Sequence, residues 1–213
     1  MAVYMYVVAR DFGFAPNPFH GVCTLATCKP VVRRKAKIGD WVIGMGGAKL
    51  DAVGRCIFAM QVTGAMSFNE YWADPRFRDK RPVRNGSRVM MLGDNIYHQE
   101  DGDWRQLDSH HSRPNGSPDL HNIGTDTGAD RVLISEKFFY FGRSAPEVPK
   151  AILEEIRYTN LRGHRVYLNH ECEGLLNWLT TSQSAYLNRV VDDPFQFKQS
   201  AARYSVSDDK IFE

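Results

Sequence analysis

The chain has 213 residues, 43% of them hydrophobic and 12% aromatic, with a formal net charge of +2. That is enough apolar material for one packed domain, or a domain with an appendage, and it excludes disorder over most of the length. The apolar runs stop far short of the roughly 20 residues that span a bilayer, so no transmembrane helix fits and no membrane partner is expected.

Val3 to Ala9 alternates and is rich in Val and Tyr, which predicts a first strand. With neither a basic leader nor a cleavage site ahead of it, the expected location is cytoplasmic. Asp11 to Gly21 holds two prolines, two glycines and three phenylalanines, a packed loop. Val22 to Cys28 reads as a strand or a helix start. Pro30 suits a first helical position, so Val31 to Ala36 is expected to be a short basic helix. A turn through Gly39-Asp40 leads to a strand, Trp41 to Met45, and after Gly46-Gly47 a second strand, Arg55 to Thr63, returns.

Ser67 three residues before Glu70 predicts a capping box opening a helix that carries Tyr71 and Trp72 and ends at Pro75. Arg76 to Arg88 is then a basic loop, Val89 to Leu92 a strand and Gly93-Asp94-Asn95 a turn. Ile96 to Asp108 reads as a hairpin about Asp101-Gly102, a pair that accepts the positive φ of a tight turn. Ser109 to Asp130 forms a 22-residue loop, longer than a connector needs, and such loops are functional or mobile. Arg131 to Phe141 is the last strand. Ala151 to Tyr158 and Gly174 to Val190 carry apolar residues at helical spacing. The fold expected is α+β, with a mixed, mostly antiparallel sheet curled toward a barrel over residues 1–145 and a helical C-terminal extension over residues 146–213.

Charge is unevenly placed. Residues 1–90 carry +8 and residues 91–213 carry −6, and a basic first half is the footprint of a polyanion site. Within it, Tyr71, Trp72, Arg76, Lys80, Arg81 and Arg84 interleave cations for phosphates with rings for unstacked bases. His20 and Lys29, in a loop punctuated by Pro and Gly, and Arg33 add to this nucleic-acid-binding set. A second constellation is polar. Four of the seven histidines fall within residues 98–121, and Asp94, His98, Asp108, His110 and His111 include Asp and His pairs at even strand spacing, a pattern suited to general acid/base work. The four cysteines, at 23, 28, 56 and 172, lack zinc-ribbon or disulfide spacing and read as reduced, mostly buried thiols, so no metal site is assigned and the cofactor is unknown. No Walker-type loop, dinucleotide fingerprint, nucleophile elbow or zincin motif occurs.

The succession CTLATCKPVVRRKAKIGDWVIGMGG, RCIFAMQVT, EYWADPRFRDKRP, GDNIYH, SHHS and RVLISEKFFYFG resembles the nucleotide modification associated domain, second family, over residues 1 to about 145. The resemblance implies an α+β domain of bacteria and phages expected to take part in nucleic-acid modification or in systems that handle modified bases, with no established reaction. A looser likeness runs to the PUA-like group with its EVE domains, through Gly39-Asp40-Trp41-Val42 and the returning strand. It implies a base held in an aromatic-walled pocket, with Trp41, Tyr71 and Trp72 as walls and the Arg76 to Arg88 loop on phosphates.

Three functions stay open. The first is a module that binds nucleic acid or a nucleotide, modified or flipped, through the basic aromatic surface. The second is a base- or nucleotide-modifying enzyme using the Asp/His cluster at 94–121. The third is an interaction module docking a partner protein through its C-terminal helices.

Overall fold

In the computed structural model, which describes residues 1–161 and 163–212, twelve strands and six α-helices succeed one another along the chain. First come β1 (Ala2–Val8), β2 (Cys23–Leu25), α1 (Pro30–Lys35), β3 (Trp41–Gly46), β4 (Cys56–Gln61), β5 (Gly64–Met66) and α2 (Phe68–Ala73). Then come α3 (Arg88–Met91), β6 (Tyr97–Glu100), β7 (Asp103–Gln106), α4 (Leu120–Thr127), β8 (Val132–Ser135) and β9 (Lys137–Tyr140). Last are α5 (Lys150–Glu155), β10 (His164–Leu168), α6 (Glu173–Asn177), β11 (Arg203–Ser205) and β12 (Lys210–Phe212).

The fold is α+β with mostly antiparallel sheets. Its main sheet has the order β10-β1-β3-β4-β9, in which β1 and β3 run parallel and the other neighbours antiparallel. A three-stranded sheet, β2-β8-β5, and two hairpins, β6-β7 and β11-β12, complete the strands. No closed barrel forms among the described residues: β10 and β9 end the main sheet without pairing with each other, and the outer side of β9 is met by the backbone of residues 188–191. One core fills the main sheet, with Val42, Ile43, Ile57, Phe58 and Phe139 wholly buried. A second, around Phe14, Phe68, Tyr71, Phe77 and Tyr97, lies under α2 and the β6-β7 hairpin. Among the described residues no helix is long and apolar enough to cross a membrane.

Local chemistry decides several elements as the sequence predicts. Ser67 and Glu70 close a reciprocal capping box at α2. Asp101 and Gly102 both take positive φ, 52° and 87°, and so turn the β6-β7 hairpin tightly.

Elsewhere tertiary packing overrides the pattern. Residues 88–91 form a helical turn capped by the Ser87 side chain, not a strand. The apolar run 131–141 divides at Ser135, whose hydroxyl binds both backbone groups of Lys137, so that β8 enters the small sheet and β9 the main one. The long segment 109–130 contains α4, capped by Asp119. In the C-terminal third, helices α5 and α6 alternate with strands, and β10 pairs antiparallel with β1. The apolar residues Ile156, Leu175 and Leu179 in this third turn into the main core.

Candidate active site

Between β2 and α1 the backbone turns sharply through two residues in the left-handed region, Cys28 at φ 55° and Lys29 at φ 42°. Such φ values cost non-glycine residues about 1–2 kcal/mol each, and such strain gathers where function requires it. Three hydrogen bonds hold the turn. The Cys28 amide donates to Asp126 Oδ1 at 2.7 Å, Arg33 Nε donates to the Cys28 carbonyl at 2.8 Å, and the Arg33 amide donates to the Lys29 carbonyl at 3.0 Å. Arg33 is fully buried, and it continues to the carbonyls of Ala129 and Arg131, both at 2.7 Å, and to that of Asp126. One guanidinium therefore fastens the Cys28 turn to α4 and to the start of β8.

Asp126 comes from the buried side of α4, and His111 from the segment after β7. The His111 carbonyl accepts from Asn122 at 2.8 Å and from Gln106 at 3.1 Å, which fixes the backbone behind the ring. The three side chains then line up. Cys28 Sγ lies 3.8 Å from His111 Nε2, and His111 Nδ1 lies 2.7 Å from Asp126 Oδ2. Tyr97 donates its hydroxyl to the same Oδ2 at 2.8 Å.

This is the ordering of a nucleophile, a proton carrier and an orienting carboxylate. The three ligand-type atoms also lie within 4.8 Å of one another, a spacing compatible with a metal ion. Both Asp126 oxygens, however, already accept hydrogen bonds, and the sulfur and the carboxylate meet opposite nitrogens of one imidazole. That arrangement suits a relay better than three converging ligands.

Burial alone would discharge His111, but the Asp126 carboxylate, with Cys28 next, outweighs it and pushes the imidazole up to about 10. Asp126 is also buried, yet the His111 cation and its hydrogen bond hold its carboxyl below the ordinary range. The neighbouring His110 behaves oppositely. Burial, and then repulsion from His111, bring it down to about 3. Neutral His110 donates Nδ1–H to the Ala202 carbonyl at 2.7 Å.

Two adjacent histidines thus sit in opposite charge states at neutral pH, the separation expected at a site that moves protons. His111 contributes stability that is full below 6.5 and is lost as pH rises through about 10. His110 contributes stability that is full above 6.5 and is lost as pH falls through about 3. Their combined contribution peaks near pH 6.5. A melting-temperature series in pH should show His111→Gln losing the decline on the alkaline side only; an unchanged alkaline arm would mean that His111 is not held as a cation.

Cys28, His111 and Asp126 border a cavity of about 290 Å³. Its walls include Tyr6, Phe12, Phe14 and Tyr204, and Arg10 and Lys29 are also among its lining residues. The other three cysteines are buried, and burial raises the Cys23 and Cys56 thiols to about 12 and the Cys172 thiol to about 11. Cys28 alone among the four is partly exposed.

The polar residues singled out from the sequence separate into distinct places. His110 and His111 line this cavity. Asp94 is buried elsewhere, accepting from Thr24 at 2.7 Å and Tyr71 at 2.8 Å. His98 pairs with Glu100 on the hairpin surface. Asp108 holds Arg203 through both carboxylate oxygens, at 2.8 and 2.9 Å.

The basic aromatic set does not form one surface. Trp41, Tyr71, Arg33 and Lys80 are buried. Trp41 stacks on Phe139, and Lys80 donates to Asn17 Oδ1 at 2.8 Å. Trp72 is half-buried, and its ring is covered by His98, stacked at 3.9 Å, and by the Arg81 guanidinium at 3.7 Å. Arg76 pairs with Asp74 at 2.6 Å, and Arg84 binds the carbonyls of Met91, Ser200 and Ala201. His20 is exposed at a positive-φ turn, and only Lys29 of this set lines the cavity.

Cys28 and Asp126 are absent from the residues that the sequence singles out for chemistry. The one signal for the former is a cysteine directly before a lysine and an N1 proline. A family model described as nucleotide modification associated domain 2 matches residues 1–201. No curated protein and no solved structure matches the chain.

Proposed function

Because the chain belongs to the nucleotide modification associated domain 2 family, we propose that it is an enzyme of a nucleotide modification system in which Cys28 attacks a base or nucleotide held in the cavity. The observation that carries this reading is the Cys28–His111–Asp126 relay, 3.8 Å and 2.7 Å in its two links, bordering a cavity. The thiolate is the attacking form of a cysteine, and the His111 ring stands 3.8 Å from the Cys28 sulfur. His111 Nε2 then carries the proton that the leaving group requires, and Asp126 keeps the imidazole oriented and charged.

The walls suit this class of substrate. Phe12, Phe14 and Tyr204 offer faces to a planar base, and Arg10 is a cation for a phosphate. Arg10 is placed by Asp209, at 2.5 Å, with its guanidinium 4.8 Å from the Tyr204 ring centre. Arg33, expected from the sequence to meet phosphates, acts in this reading from behind the site as the residue that positions Cys28.

The test is mass analysis of single- and double-stranded oligonucleotides and of free nucleotides after incubation with the protein. A mass change that disappears in Cys28→Ala, while oligonucleotide binding persists, is the expected result. Binding with unaltered mass by the wild-type chain, across the same substrates, would favour a module that reads nucleotides in this cavity without altering them.

A further inference from the structure

An attacking cysteine needs a donor for the negative charge that develops on its substrate, and the usual one is its own backbone amide. In this site that amide is taken, since Cys28 N–H donates to Asp126 Oδ1 at 2.7 Å. Tyr6 offers a replacement. It stands on β1, lines the same cavity as Cys28 and is only 3% exposed. Its hydroxyl is buried with no hydrogen-bond partner among the described residues. The ring is fixed, with Lys29 Nζ 4.3 Å from its centre and the Phe58 ring 5.7 Å away. A buried hydroxyl without a partner is uncommon, because its desolvation goes uncompensated until something binds it.

Resting on Cys28 as the nucleophile, we propose that Tyr6 is a further catalytic residue, donating its hydroxyl to the oxygen of a carbonyl substrate, and that the reaction is therefore acyl transfer from an amide or ester borne by a nucleotide. Burial first, and then smaller electrostatic contributions from Cys28, Cys23 and Asp11, raise the phenol well above its ordinary value, so it keeps its proton and serves as a neutral donor.

The step balances. Cys28 Sγ forms a bond to the carbonyl carbon, and the π pair moves to the oxygen, which Tyr6 holds. On collapse the C=O bond re-forms and the bond to the amine or alcohol breaks, the leaving group taking the proton from His111 Nε2. Water then attacks the thioester and gives its proton to the now neutral His111. The acid departs, and the thiolate and imidazolium are restored.

Two reagents separate this proposal from the one beneath it. Acetylation by p-nitrophenyl acetate passes through an oxyanion, whereas alkylation by iodoacetamide displaces iodide from a saturated carbon and does not. Tyr6→Phe keeps the ring. It should slow acetylation of Cys28, followed by nitrophenolate release and peptide mass, by about 100-fold, and leave alkylation within about twofold of wild type. Equal acetylation rates in the variant and wild type would overturn the role of Tyr6. So would an equal slowing of both reactions, which would place Tyr6 in support of the sulfur. A wild-type Cys28 inert to both reagents would remove the nucleophile and the acyl-transfer proposal together.

Discussion

Asp126→Ala should destabilise the protein by about 3–5 kcal/mol, the cost of removing one partner from a buried ion pair. Each kcal/mol shifts the melting point of a chain of this size by about 2–4 °C, so a fall on the order of 10 °C is expected. The reasons are local and additive in kind. His111 loses the charge that keeps it protonated, the Cys28 amide loses its 2.7 Å acceptor, and the Tyr97 hydroxyl loses its 2.8 Å acceptor. The strained turn at Cys28 and Lys29 then keeps Arg33 but loses its tie to the α4 carboxylate. Asp126→Asn retains an oxygen and the shape and should cost less, while still discharging His111. An effect of Asp126→Ala within about 0.5 kcal/mol, as at an ordinary surface position, would mean that the relay is not formed in solution.

His111→Ala should lower turnover by about 10²- to 10⁴-fold, the range for removal of a positioned general acid or base. Binding of the nucleotide should persist, since the aromatic walls and Arg10 are untouched. His110→Ala is the control. His110 lines the same cavity but stays neutral and spends Nδ1–H on the Ala202 carbonyl, 2.7 Å away, so its replacement should cost less than that of its neighbour. Equal losses in the two variants would assign both to packing against Phe14, whose ring lies 5.1 Å from His110 and 4.8 Å from His111.

The elements legible in the sequence are those whose cause is local. Ser67 and Glu70 form a capping box from four consecutive residues, and Asp101-Gly102 turns a hairpin by its own φ values. The elements that are not legible depend on distant partners. Ser135 divides one apolar run between two sheets, and β10 is recruited from 158 residues downstream of its Tyr6 partner at His164.

At the site the same division holds. His111 is legible because histidines cluster after residue 97. Asp126, in the same polar segment, is indistinguishable from the other loop carboxylates until α4 forms. Cys28 carries no motif, since its turn between strand and helix is held by hydrogen bonds from Arg33 and to Asp126 and not by glycines. Residue type signals affinity for phosphates and bases but not burial. That is why Arg33, Trp41, Tyr71 and Lys80 read as a binding surface while each is packed inside, Arg33 and Lys80 with their charges met by carbonyls, Asn17 and nearby carboxylates.

The measurement that tests the account most directly is the rate of iodoacetamide alkylation at Cys28 at pH 6, read by peptide mass beside free cysteine in the same buffer. Cys28 is the one partly exposed cysteine and its sulfur lies 3.8 Å from His111 Nε2, so the account predicts that Cys28 reacts about 10-fold faster or more than free cysteine. It also predicts that His111→Ala erases the difference and that Cys23, Cys56 and Cys172 stay unlabelled. A Cys28 that alkylates no faster than free cysteine, with or without His111, would contradict it.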